Sequence, residues 1–306
     1  MPRVAILGST GQLGTDLVEV LQQDNRFDVI PLSHQEADCT NAAAVYDIIA
    51  RLRPDHVINC AAFVRVDDCE DQPKLAFEVN AVGAFNVARA CAAIDTCCIY
   101  ISTDYVFDGS KKLPYVESDT PNPINVYGAS KLSGEYLVRQ AAPRWLIVRV
   151  ASLFGKTGAR GKGGNFVETI LAKAKKGESL RVVNDIKISP TYTRDAADVL
   201  RQLLVNEVTG VVHAANSGSC TWYEFGNAAL QLCGVNASIE PVAAMDFPMR
   251  AKRAKNSSLK SEKVLIGSIS GMSSWQQALR AYLVEKGHIA VADCKNSDGL
   301  RVGEKG

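Results

Sequence analysis

The stretch "RVAILGSTGQLGTDLVEVLQQ", residues 3–23, joins a short apolar run, three glycines at three-residue spacing and an apolar helical period. The run at residues 3–7 is too short for a helix and nearly continuous in apolar residues, the pattern of a strand covered on both faces. Leu13, Leu17 and Leu21 recur every four residues and so share one face of a helix. Between strand and helix, Gly8, Gly11 and Gly14 form a turn whose bare backbone can approach a pyrophosphate, with the helix N-terminus facing the negative charge. Strand, glycine turn and helix in that order predict the first unit of a nucleotide-binding sheet.

The rhythm continues outward from there. "FDVIPL" (27–32), "HVINCAA" (56–62), "CCIYIS" (97–102) and "WLIVRV" (145–150) are separated by segments long enough for helices. The fold class expected is α/β, a doubly wound parallel sheet of the Rossmann type. After about residue 155 the rhythm loosens. "GARGKGGN" (158–165) reads as a glycine-rich, basic, mobile loop, and helices follow at "FVETILAKAKKG", "TRDAADVLRQLLVNE", "TWYEFGNAALQLCG" and "WQQALRAYLVEK", with a strand at "GVVHAAN". The division expected is a dinucleotide-binding domain over 1–155, a smaller α/β substrate-binding domain mainly over 156–286 with some segments returning to the first, and a flexible tail over 287–306.

Composition narrows the function classes. A chain of 306 residues with 47% hydrophobic content can bury a large core. A formal net charge of +1 gives no electrostatic reason to expect nucleic acid or an anionic membrane as partner. No apolar run approaches the roughly 18 residues of a membrane span, and the N-terminus lacks a signal peptide's apolar region, so a soluble cytoplasmic protein is expected. Nine cysteines, an odd number without a CxxC pair, read as reduced thiols, and four scattered histidines offer no metal site. Oligomeric state is not fixed by the residues; a homodimer stands as a candidate.

A second constellation carries chemistry. In "YGASK", Tyr127 and Lys131 are four apart and share a helix face. The segment lies between "ISTDYVFDG", which closes the fourth strand, and the fifth strand; carboxyl ends of strands are where open α/β sheets bind ligands. Thr103 and Tyr127 are therefore expected to meet one carbonyl oxygen, with Lys131 lowering the phenol's pKa and reaching toward a nicotinamide ribose. The end of the second strand, "VIPLSHQ", carries neither a carboxylate for a ribose hydroxyl nor an arginine for a 2′-phosphate. Ser33 and His34 stand there instead, so NADPH and NADH are both expected to bind, with a small preference for NADPH.

These stretches, with "RPDHVINCAAFVRVDDCE", "FEVNAVGAFNVA", "NVYGASKLSGE", "SPTYTRDAADV" and "AKRAKNSSL", resemble the extended short-chain dehydrogenase/reductases, and within them the dTDP-4-dehydrorhamnose reductase branch. The resemblance implies NAD(P)H-dependent reduction of the C4 ketone of a 4-keto-6-deoxy nucleotide sugar. It implies that Gly8, Gly11, Gln12, Leu13 and Gly14 meet the dinucleotide phosphates, Asp38 and Cys39 lie near the adenine, and Cys60, Ala61 and Ala62 line the cofactor. Asn80 would count among the cofactor-binding residues and support the active site from its helix. Thr103, Tyr127 and Lys131 would be the catalytic trio, Asp104 and Tyr105 would border the sugar, and Arg253 and Asn256 would face the nucleotide part of the substrate. In "RVASLFG", Ser152 stands where the branch carries a tryptophan beside the sugar, so an apolar wall is expected to be missing and the pocket broader. The same resemblance extends to the regulatory beta subunit of methionine adenosyltransferase, which keeps a dinucleotide-binding regulatory role as the rival reading. Nucleotide-sugar epimerases share the fold and the YxxxK pair.

Overall fold

The computed structural model describes residues 1–158, 164–263 and 271–290. Five parallel strands, β1 (Arg3–Leu7), β2 (Asp28–Leu32), β3 (His56–Asn59), β4 (Cys97–Thr103) and β5 (Trp145–Val150), and a sixth at Gly210–His213 form one sheet. Its spatial order is 210–213, β5, β4, β3, β1, β2, every neighbouring pair parallel. β4 is buried at all seven positions, as a central strand covered on both faces must be.

The chain leaves β1 for β2 on one side and returns for β3 on the other, so the direction of winding switches between β1 and β3, where the loops at their carboxyl ends part to leave a crevice. Helix α1 (Gln12–Gln22) and the Thr193–Val205 helix cover one face, burying Leu13, Leu17 and Leu21 with Leu200, Leu203 and Leu204. The opposite face is covered by α2 (Ala42–Leu52) and the helices Gly83–Ala93 and Val126–Ala141, around Val45, Ile49, Val87 and Val138.

A third core lies to the side. Helices Phe166–Lys175, Trp222–Leu232 and Trp275–Glu285 pack Phe154, Tyr192, Phe225, Trp275 and Tyr282 together beside the parallel pair Leu180–Val183 and Ile239–Val242. The strand and helix that return from beyond residue 155 to the main sheet are thus Gly210–His213 and Thr193–Val205. The expected loop falls largely in 159–163 and the expected tail largely in 291–306, both outside the described residues. No described helix is long and apolar enough to cross a membrane.

Candidate active site

The glycine turn is built by close approach. Gly11 caps α1 without a side chain, its N–H donating to Gly8 O at 2.9 Å. Gly8 holds φ +73°, a left-handed conformation that glycine adopts without strain. A Cβ on Gly14 would lie 2.2 Å from Gly8 O, so no other residue fits there without moving backbone. A Cβ on Gly8 would sit 3.1 Å from Ala61 N, which shows how closely the β1 and β3 loops meet at the switch point.

From this turn a cavity of about 900 Å³ runs across the carboxyl ends of the strands. Gly8, Gly11, Gln12, Leu13 and Gly14 form one wall, and Cys60, Ala61 and Ala62 the adjoining one. His34, Asp38 and Cys39 close one end, while Thr103, Asp104, Tyr105, Tyr127 and Lys131 stand at the other. Asp38 accepts from Thr40 N at 3.0 Å and Thr40 Oγ1 at 2.9 Å, and those bonds hold its carboxyl below the ordinary range. Burial pushes the Cys39 thiol up to about 11 and the Cys60 thiol up to about 12, so both are neutral wall groups rather than nucleophiles. Lys131 is the one lysine or arginine on the wall among the described residues.

Asn80 does not reach this cavity. It is fully buried in a π-helical turn, Glu78–Val82, where its Oδ1 accepts from Phe63 N at 2.8 Å. Its Nδ2 donates to Phe63 O at 3.1 Å and to Ser130 Oγ at 3.0 Å. Asn80 is therefore off the cofactor cavity and in a supporting role: it ties the β3 loop to the helix that carries Tyr127. π-bulges of this kind cluster at functional sites.

The reactive end rests on two elements. Thr103 closes β4, accepts from Tyr105 N at 3.2 Å and donates to Asp104 Oδ1 at 3.0 Å. Asn125 caps the Val126–Ala141 helix by accepting from Gly128 N, and a Cβ on Gly128 would lie 2.1 Å from Tyr105 O. That contact presses the helix onto the turn after β4 and brings Tyr127 beside Thr103. Tyr105 meets the Tyr127 ring edge-on at 5.5 Å.

Burial pushes the Tyr127 phenol well above its ordinary value, and hydrogen bonding with Thr103 offsets only part of this. Lys131 is driven the other way, down to about 7, because its ammonium is buried; Glu135, one turn further along, opposes the shift. Lys131 Nζ donates to Ile101 O at 2.7 Å and lies 4.0 Å over the Tyr100 ring. The expectation that Lys131 lowers the Tyr127 pKa is therefore corrected: desolvation dominates both groups, and the phenol stays protonated.

A second cavity, about 480 Å³, adjoins the first and is lined by Arg65, Arg250 and Arg253. Arg253 donates to Asp67 Oδ2 at 2.9 Å and lies 5.9 Å from the Tyr105 ring centroid, so it faces a pocket rather than open solvent. Asn256 does not. Its Nδ2 donates to Lys111 O and Leu113 O, and its Oδ1 accepts from Ser258 N and Oγ, so the expected substrate contact is corrected to a loop anchor. Four residues line both cavities: Val66, Tyr105, Ser152 and Trp222. Val66, Arg65 and Trp222 were not legible as site residues; Trp222 lies within the T-x-x-E capping box of Thr221 and Glu224, which signals a helix start and nothing about a pocket.

The chain resembles known proteins over nearly its whole length. The family model described as the RmlD substrate binding domain matches residues 2–287. The spore coat polysaccharide biosynthesis protein SpsK of Bacillus subtilis is 35% identical over 94% of this chain and 98% of its own. A dTDP-4-dehydrorhamnose reductase of Aggregatibacter actinomycetemcomitans is 36% identical over 92% of this chain and 98% of its own. The crystal structure of dTDP-4-dehydrorhamnose reductase from Bacillus anthracis in complex with NADP superposes with a TM-score of 0.88 at 36% identity, covering 93% of this chain and 99% of that one. With the glycine turn, the cavity and the Thr103–Tyr127 pair already in place, these matches show that the chain belongs to the dTDP-4-dehydrorhamnose reductase family.

Proposed function

We propose that the protein reduces the C4 ketone of dTDP-4-dehydro-L-rhamnose to the alcohol of dTDP-L-rhamnose, using NADPH or NADH. The observation that carries this reading is the single cavity that has the glycine turn on one wall and the Thr103–Tyr127 pair at one end. The residues fit a dinucleotide. The space between Gly8 O and Gly14 admits no side chain, and the N-terminus of α1 opens there toward the cavity, as a pyrophosphate requires. Asp38 and Cys39 would flank the adenine, Cys60 to Ala62 would line the middle, and Lys131 would meet ribose hydroxyls. When bound, the reduced dinucleotide supplies hydride to the carbonyl carbon.

Tyr127 supplies the matching proton. Its phenol is neutral at physiological pH, which is the form a general acid needs, and the proton passes to the carbonyl oxygen as that oxygen gains charge. Thr103 Oγ1 is placed to hydrogen-bond the same oxygen. Asp104 stands beside Thr103 on the cavity wall, where its carboxyl can accept from a sugar hydroxyl. The arginines of the adjoining cavity, held in place by Asp67, Asp68 and Asp71, would turn toward the diphosphate as its counter-charge. Relatives carrying the reductase name at 36% identity, one solved with NADP, support the same reading.

Incubation with dTDP-4-dehydro-L-rhamnose and NADPH should oxidise one NADPH per dTDP-L-rhamnose formed, followed by absorbance and mass spectrometry. Unchanged NADPH with intact substrate would overturn the reading.

A further inference from the structure

We infer that Trp222 is a substrate-binding residue that seats the apolar face of the sugar ring; this rests on the reductase reading above. The reacting carbon has to lie at Tyr127, which lines only the larger cavity. The diphosphate joined to the same sugar would meet Arg65, Arg250 and Arg253, which line only the smaller one and would share their charge between the diphosphate and their partners Asp67, Asp68 and Asp71. The ring between them therefore crosses the neck formed by Val66, Tyr105, Ser152 and Trp222.

Of these four, Trp222 offers the largest apolar surface. Ser152 is short and held at φ +43°, and Tyr105 already engages Tyr127 at 5.5 Å and Arg253 at 5.9 Å. Trp222 is only partly buried, yet it is fixed in place. It opens the Trp222–Leu232 helix behind the reciprocal Thr221–Glu224 cap, Thr221 Oγ1 also bonds Asn184 Oδ1 at 2.9 Å, and the indole packs on Phe166 at 4.8 Å. A rigid aromatic face complements the C–H face and methyl of a 6-deoxy sugar.

Titration calorimetry with dTDP-L-rhamnose and with dTDP, each in the presence of NADP, separates the sugar from the nucleotide. Trp222→Ala should weaken dTDP-L-rhamnose about tenfold while dTDP stays within about twofold, the loss expected for one aromatic contact. In turnover, KM for the keto sugar should rise with kcat little changed, and Trp222→Phe should recover most of the loss. If the alanine variant fails to bind NADPH, Trp222→Leu takes its place with the same expected outcome. Unchanged dTDP-L-rhamnose affinity, or equal losses for both ligands, would overturn the inference. Wild-type protein that reduces no keto sugar nucleotide overturns the reductase reading instead, and the inference with it.

Discussion

Thr103 donates to Asp104 Oδ1, and burial pushes this carboxyl up to about 6 from its ordinary 3.8 against the opposing hydrogen bonds of Ser257 and Thr103. The folded state therefore binds more protons than the unfolded one between those two values. The contribution to stability is full below about pH 4 and is lost as pH rises through about 6. Asp104→Asn should accordingly stabilise the protein at about pH 8 relative to wild type and lose that advantage near pH 4, read from denaturant midpoints at both values. An equal difference at both would show that the carboxyl's ionisation is not the cause. At this scale the sequence was most legible where residues sit in motifs. Tyr127 and Lys131 could be placed on one helix face from spacing alone, but the dominance of burial over their mutual charge could not, because desolvation is set by packing from distant elements. Asn256 was misread for a related reason: the carbonyls it binds belong to Lys111 and Leu113, far away in the chain.

The glycine turn shows what spacing reveals about an element and what it leaves out. Strand, turn and α1 were readable, yet three glycines look equivalent in the sequence and are not so in the fold. A Cβ on Gly11 would sit 3.2 Å from Gly8 O at an extended backbone conformation, whereas one on Gly14 would sit 2.2 Å from the same atom. Gly14→Ala should therefore cost about 2 kcal/mol or more and abolish detectable NADPH binding, because the turn must open. Gly11→Ala should cost less than about 1 kcal/mol. Thermal melts of the two variants decide it, and equal losses would contradict the packing described. The π-helical turn around Asn80 left no periodic signal at all, since one inserted residue in a helix looks like ordinary sequence drift.

The whole molecule depends on contacts that cross the expected boundary near residue 155. The Thr193–Val205 helix buries Leu200, Leu203 and Leu204 against the face of α1, and Thr193 Oγ1 donates to buried Asp16. Each such leucine is worth about 1.5–3 kcal/mol, against a total stability of about 5–15 kcal/mol for a typical domain. A fragment of residues 1–155 should therefore lack protected amide hydrogens in β1 and β5, measured by hydrogen exchange; native-like protection would show that the first half folds alone. Alternation of strands and helices made the sheet legible, but which later segments return to it depends on pairing across some 60 residues, as between Leu146 and Gly210. Function is assembled at this same scale, from the β1 turn, the Tyr127 helix and the arginines near residue 250. The most direct test of that assembly is Tyr127→Phe, which keeps the ring and removes the proton. With dTDP-4-dehydro-L-rhamnose and NADPH, kcat should fall by at least about a hundredfold while the NADPH dissociation constant stays within about threefold of wild type. Turnover equal to wild type would contradict the assignment of Tyr127 as the acid.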